Sequence, residues 1–363
     1  MSKLKILFGA VDIGWRIKSY SNFLRNENPN LEITSFVKYK VSNKQYKTTY
    51  DYEENYPTYS KVRQWFVSFR FFLKSLFLFN TYYFFSGETI LTRKLRHLEF
   101  KVYKALNKKL IMHFVGSDIR DPNYLYWKSD NIIAFLNDKI ETSQTADWQQ
   151  NLIKDSDNYA SSVLVSTPDL LKIIPLATYY PVVLDVNSFI NEIGTFSSKG
   201  TYFKTNKIKI LHAPSNTRLK GSEIINKVLK EIEAETGLIE FIYTKDLNQE
   251  TATVYTVSRY ELFKLYNETD VVIDQLIIGW YGLQAIEALL AECHVFCYIA
   301  DDLEEYLFPD CPIKNINAIN IKEKLLHFLE NYSAPDSHEQ ISWVKQHHSI
   351  EQNNTVLTNA IFS

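Results

Sequence analysis

Cysteine is scarce in this chain: Cys293, Cys297 and Cys311 are its three thiols in 363 residues. So few exclude a disulfide-stapled fold and point to a reducing compartment, the cytoplasm. Ten glycines and ten prolines leave little material for long linkers or low-complexity tails. A net charge of −2 lacks the basic excess of a general nucleic-acid binder. No secretory-signal pattern is recognisable, and the uncharged run Ser75–Ser86, twelve residues, is too short to span a bilayer. The G-x-G-x-x-G fingerprint is absent from FGAVDIGW after the first apolar run, which weighs against a nicotinamide-dependent nucleotide-sugar epimerase. No internal repeat is visible.

What is present is an ordinary globular content, 45% hydrophobic and 23% charged, enough for two cores of domain size. The stretch Asp270–Tyr298 carries the most information. Val271–Ile273 is short and β-branched, as a buried parallel strand is, and Asp274 and Gln275 mark its carboxyl end. Gly279 and Gly282 permit close backbone approach, and Leu283–Ala291 has helix composition. A helix opening near Gly282 turns free N–H groups and its positive end toward whatever lies above the strand ends, an anion site. Glu287 lies one to two turns into that helix, where its carboxylate suits two neighbouring ribose hydroxyls; the plainer role is a solvated helix glutamate.

A second segment repeats the arrangement. KIKILHA, from Lys207 to Ala213, reads as a strand, and Ser222–Thr236 as a helix with Ile224, Ile225, Val228, Leu229 and Ile232 on one face. Arg218 and Lys220 fall in the turn between them, before Gly221 and Ser222. Two cations beside a helix start suit a diphosphate, Arg offering a planar fork and Lys a point charge.

These two segments resemble the carboxyl-terminal half of retaining, family-4 GT-B glycosyltransferases, which build bacterial surface polysaccharides. RLKG matches the family's R-x-K-G loop, implying that Arg218 and Lys220 bind the donor diphosphate. The family's Glu-x7-Glu motif is half retained. Glu287 matches the second, ribose-binding Glu, and Gly282 and Leu283 match the amide pair that meets the phosphates. Gly279 stands where the first, sugar-contacting Glu would be, with Asp274 and Gln275 near enough to reach the same space.

The amino-terminal half also alternates strand and helix. Leu4–Phe8, Tyr82–Phe85, Leu110–Val115 and Ser162–Ser166 read as strands, and Ile17–Arg25 as a helix after a turn containing Gly14. The resemblance places Gly14 in the loop lining the donor site. MHFVGSDIRD resembles the family's H-x-H-G-S-D-x-R run, retaining His113, Gly116, Ser117, Asp118 and Arg120, with Val115 for the second His. It implies an acceptor side formed by Gly116, Ser117, Asp118 and Arg120, and a catalytic set of His113, Asp118, Arg218 and Lys220. Strand alternation leaves open whether His113 faces the core instead. YYFFSG, Tyr82 to Gly87, carries aromatics where a related family strand has histidines.

The expected fold is therefore α/β, a GT-B pair of doubly wound Rossmann-like domains facing across a cleft. Residues 1–188 form the acceptor-side domain, 189–335 the donor-binding domain, and 336–363 are helices packing back on the first. The implied activity is metal-independent transfer of a hexose-like sugar, with retention, from a nucleotide-diphosphate sugar to a saccharide, free or lipid-linked. No cofactor is implied. The rival expectation is a catalytically silent homologue that binds a nucleotide-sugar within a polysaccharide assembly complex. The D-x-D triplet Asp155/Asp157 lies in a polar stretch rather than after a strand, and Cys293, His294 and Cys297 fit no standard zinc spacing, so no metal is expected.

The span 61–110 is unusually basic, with eleven Lys and Arg against Glu88 and Glu99. Within it Trp65, Phe69, Phe72, Leu76 and Phe79 recur at helical spacing, with Arg63, Arg70 and Lys74 along another line. An amphipathic helix lying on an anionic membrane surface, with Arg63, Trp65, Arg70 and Lys74 facing the lipid, fits this pattern and a peripheral location at the inner face of the plasma membrane. A sheet-covering core helix with an ordinary basic face fits it too.

Overall fold

The computed structural model describes residues 3–14, 16–39, 50–120, 146–194, 207–244 and 257–363. Two parallel sheets organise them. The first contains β1 (Leu4–Gly9), β2 (Leu31–Val37), β3 (Tyr52–Glu53), β4 (Thr81–Phe85), β5 (Lys109–Phe114), β6 (Ser162–Val165) and β7 (Thr178–Tyr179), in the order β3-β2-β1-β4-β5-β6-β7. Each neighbouring pair is parallel. A parallel strand covered on both faces reads as a continuous apolar run, and all five residues of β4, TYYFF, are buried. Phe84, Met112, Phe114 and Val165 share a core with Phe72, Phe79, Phe100 and Leu152 from the covering helices.

The second sheet contains β8 (Ile208–His212), β9 (Ile239–Tyr243), β10 (Val271–Ile273), β11 (His294–Cys297) and β12 (Lys314–Asn315), in the order β12-β11-β10-β8-β9, again all parallel. Its main covering helix is Ser222–Thr236, whose Ile224, Ile225, Leu229 and Ile232 are buried against Ile210, Val271 and Ile273. In each sheet the chain starts in the middle, builds outward and then reverses. The reversals fall between β1 and β4 and between β8 and β10, where strand ends leave a crevice for ligands.

The chain divides into two compact units. One ends its main run at Leu184 and also includes Asn353–Ser363; the other holds Asp185–Gln352. Helix Ser337–His348 packs on helix Leu283–Leu290 and belongs to the second unit. The segment returning to the first unit is therefore Asn354–Phe362, where Lys109 Nζ meets the Ile361 carbonyl at 2.9 Å, and not everything from 336 onward. That division follows from chemistry: Gln340 donates to the Cys293 carbonyl at 3.2 Å, and Trp343 Nε1 to that of Pro309 at 2.9 Å.

Helix Lys61–Leu78 departs from the expected apolar arc. Phe72 and Phe79 enter the core and Leu76 is half-buried, whereas Trp65 and Phe69 stay exposed. Asp155 and Asp157 lie in helix Ala146–Tyr159; Asp155 is buried and bonded to His97 Nδ1 at 2.6 Å, while Asp157 is exposed. Among the described residues no helix is long and apolar enough to cross a membrane.

Candidate functional site

At the end of β8 the chain forms a single helical turn, Thr217–Lys220. Asn216 caps it, its side chain accepting from Leu219 N at 3.0 Å. Gly221 ends it at φ 69, a left-handed conformation natural to glycine, and the long helix Ser222–Thr236 begins at once. A Cβ on Gly221 would lie 3.3 Å from Leu276 Cβ, so the turn is pressed against the loop after β10. Leu276 N donates to the Lys220 carbonyl at 3.1 Å and fixes the contact.

This packing delivers Lys220 to Asp274, the residue following β10. Lys220 Nζ pairs with Asp274 Oδ1, and Asp274 Oδ2 accepts from Gly282 N at 3.1 Å. Gly282 caps helix Leu283–Leu290, so an ammonium, a buried carboxylate and a helix start converge at the reversal point of the second sheet. The Gly282 amide is thus already donated, while the Leu283 N–H opens the helix without an intrahelical acceptor. Arg218 is exposed, two residues before Lys220 on the same turn. His212, under this turn, donates from Nδ1 to the Ile273 carbonyl (2.9 Å) and accepts at Nε2 from the Ser222 hydroxyl (2.8 Å). A carbonyl only accepts, so Nδ1 carries the proton, and burial lowers the His212 pKa to about 4.

Gln275 and Gly279 shape the next loop. Gln275 Oε1 accepts from Ile277 N (2.7 Å) and Ile278 N (2.6 Å), and its Nε2 donates to the Tyr298 carbonyl at 2.8 Å. The glutamine is consumed by the loop, leaving Asp274 as the carboxylate beside Lys220. Gly279 sits at φ 79, where an added Cβ would be 2.9 Å from Ala300 Cβ.

Glu287 is buried rather than solvated. Its Oε1 accepts from Arg259 Nη1 at 2.8 Å, and its Oε2 lies 3.5 Å from Tyr266 OH. Burial raises its pKa, with Arg259 opposing. Arg259 also approaches Glu192 at 3.6 Å and lies over the Phe263 ring. Sequence reasoning missed Arg259, although the capping box Ser258/Glu261 that sets it in the first turn of its helix is legible as S-x-x-E.

In the first unit the structure corrects two expectations. His113 is a core residue: Nδ1 meets Tyr83 OH at 2.8 Å, Nε2 meets Ser166 Oγ at 2.8 Å, and the rings of Phe85 and Tyr180 enclose it. Burial, then the nearby Arg16, push its pKa well below the usual range, so it is neutral and committed rather than turned toward a reacting group. Asp118 and Arg120 brace their own loop. Asp118 accepts from Val115 N (2.9 Å) and Gly116 N (2.8 Å), and Arg120 clasps Asp169 at 2.7 and 3.2 Å with Thr167 Oγ1 at 3.0 Å. Gly116, at φ 144, lets the Arg120 guanidinium lie against its backbone. Ser117 alone of this group is exposed.

Gly14 is exposed at φ 65, in the turn before helix Arg16–Glu27. Asp12 caps that helix, accepting from Ile17 N at 3.1 Å. Arg16, also missed from sequence, is buried; its Nη1 donates to Ser166 Oγ at 3.0 Å and its Nε has no hydrogen-bond partner among the described residues. Cys293, His294 and Cys297 point to different partners: the Tyr266 and Thr269 carbonyls, the Ser333 carbonyl, and Gln275 Nε2.

No protein-family model matches the sequence, and no curated protein matches it. Solved structures do. Anabaena HepE, in complex with UDP and glucose, is 14% identical, with 99% of each chain covered and a TM-score of 0.64. Sucrose-phosphate synthase from Thermosynechococcus elongatus is 11% identical over 99% of this chain and 98% of its own, at 0.60. A UDP-N-acetylglucosamine 2-epimerase is 11% identical over 100% of this chain and 96% of its own, at 0.54. An epimerase is thus among the proteins that share this architecture. Identity this low carries the fold and nothing finer: the chain has the two-unit α/β architecture of GT-B glycosyltransferases.

Proposed function

We propose that the second unit binds a nucleoside-diphosphate sugar and that the protein transfers the sugar, with retention, to a saccharide acceptor, free or lipid-linked, in surface polysaccharide synthesis. The observation that carries this reading is the convergence of Lys220, Asp274 and the Gly282–Leu283 helix start at the reversal point of the second sheet, beside exposed Arg218. An ammonium held by one buried carboxylate is a counter-charge that an incoming diphosphate can share. The complex of HepE with UDP and glucose supports the same ligand class.

In the proposed reaction the bond from the anomeric carbon to the phosphate oxygen breaks with its electron pair going to the diphosphate. The acceptor hydroxyl oxygen bonds that carbon on the same face, and its proton passes to the departing phosphate oxygen. Charge builds on the leaving group, where Arg218, Lys220 and the Leu283 amide meet it without a metal. Glu287 would bind the ribose, exchanging its long contact with Tyr266 for a hydroxyl.

The silent nucleotide-sugar-binding homologue is favoured by one observation, the closed space at Gly279, which leaves no room for a sugar-contacting carboxylate. Titration with UDP, GDP, ADP, CDP and their sugar conjugates, read as a thermal shift and as nucleotide release, separates the readings. A ligand at about 100 times its Kd should stabilise the fold by roughly 2.7 kcal/mol. Stabilisation with turnover, reduced about 10²-fold in Lys220→Ala, is expected. Stabilisation without turnover gives the silent reading, and no stabilisation refutes both.

A further inference from the structure

Helix Lys61–Leu78 is packed in an unusual sense. The residues it turns inward include two serines: Ser68 donates to Tyr56 OH at 2.8 Å, and Ser75 Oγ bonds the Phe72 carbonyl at 2.7 Å and Tyr82 OH at 3.3 Å. Its largest apolar side chains mostly point away from the core. Val62, Trp65, Phe66, Phe69, Leu73 and Phe77 are all exposed, Val62 at 78% and Phe77 at 90%. At 3.6 residues per turn they share one face roughly 120° wide. Trp65 and Phe69 stack on each other, with centroids 5.4 Å apart. A surface normally scatters exposed apolar residues singly; a continuous ridge of this kind marks an interaction site.

The charge beside the ridge selects the partner. Arg63, Arg70 and Lys74 are exposed along its flank, and none forms an ion pair among the described residues. The helix contains no Asp or Glu. Arg63 rests over the Tyr59 ring at 4.1 Å, and Lys74 lies 5.5 Å from the Tyr52 ring centroid. A second copy of this chain on the same face would bring like charges together, whereas a bilayer of anionic lipid offers acyl chains to the ridge and phosphates to the flank. We infer that this face seats on an anionic membrane surface, the apolar ridge entering the boundary between headgroups and acyl chains. The helix lies in the interface and does not cross it. This reading stands on the first unit alone and is independent of the donor chemistry of the second.

Flotation of the full chain with vesicles of phosphatidylcholine, and of phosphatidylcholine mixed with phosphatidylglycerol, tests it at low and moderate salt. The chain should float with the anionic vesicles and lose binding as salt rises. Phe66→Ser with Phe77→Ser, and separately Arg70→Glu with Lys74→Glu, should each weaken partitioning by about tenfold or more while leaving the thermal midpoint in place, because all four residues are exposed. Absence of flotation with either vesicle at low salt overturns the inference. So does flotation of the Phe66→Ser/Phe77→Ser variant equal to wild type, or light scattering that shows a dimer which this variant renders monomeric.

Discussion

Lys220 and Asp274 are 54 residues apart in sequence, yet their side chains form an ion pair in which the carboxylate is fully buried and the ammonium 13% exposed. The two halves of this pair should not be equal in cost. Lys220→Met leaves a desolvated carboxylate with the Gly282 amide and a long thiol contact from Cys297 at 4.0 Å as its donors, a loss of about 3 kcal/mol. Asp274→Asn keeps an acceptor for Gly282 N–H and lets the partly exposed ammonium reach water, at about 1 kcal/mol. Urea unfolding of the two variants measures the ranking; equal losses would contradict it.

Arg218 makes the cleaner test of diphosphate binding. It is exposed and its side chain has no partner among the described residues, so Arg218→Ala should change stability by less than about 0.5 kcal/mol. A two-bond guanidinium fork to a diphosphate should nevertheless be missed, with nucleotide affinity falling by about tenfold or more. Calorimetric titration of the stabilising nucleotide into wild type and variant reads the difference. An unchanged affinity removes Arg218 from the donor site.

Local patterns in the sequence disclosed the skeleton. Ser222–Thr236 and Val271–Ile273 have the bounds their periodicity implies, because a 3.6-residue apolar stripe and a β-branched run each suit one element only. The Lys220–Asp274 pair was half legible, since each residue lies in a strand-to-helix turn, but their contact depends on β8 and β10 being neighbours, which no local pattern states. Side-chain direction was the harder part. MHFVGSDIRD looks like a set of cleft residues, yet His113, Asp118 and Arg120 find their partners in Tyr83, their own loop and Asp169, across 30 and 49 residues of sequence. In helix Lys61–Leu78 a periodic apolar arc identified the helix but not which part of the arc the core would take.

Gly279 tests whether the missing carboxylate of the Glu-x7-Glu pattern can be restored. Its φ of 79 strains any side chain, and a Cβ would stand 2.9 Å from Ala300 Cβ. Gly279→Glu should therefore destabilise by roughly 2 kcal/mol and leave turnover no higher than in wild type. Chemical denaturation together with nucleotide release checks both halves. A stable variant with raised turnover would show that the loop yields and that the glycine is a replaceable loss.

His212 makes the fold acid-sensitive in a defined window. Its Nδ1–H is held by the Ile273 carbonyl, its Nε2 faces Ser222 Oγ, and burial holds its pKa at about 4 against an ordinary 6.5. The unfolded chain therefore takes up the proton first. Stability from the neutral imidazole is complete above pH 6.5 and is lost as pH falls toward 4, by about 3 kcal/mol at most. His113, also pushed down by burial, adds a loss of the same sign, and buried Glu99 and Glu287, pushed up, oppose it, so the wild-type slope alone cannot assign the effect. His212→Asn does not titrate and keeps a side-chain N–H. It should be less stable than wild type near pH 7, and the gap should narrow or reverse on going to about pH 4.5. Denaturant midpoints of both proteins across that range provide the measurement, and parallel curves would mean that the imidazole titrates alike in folded and unfolded chains.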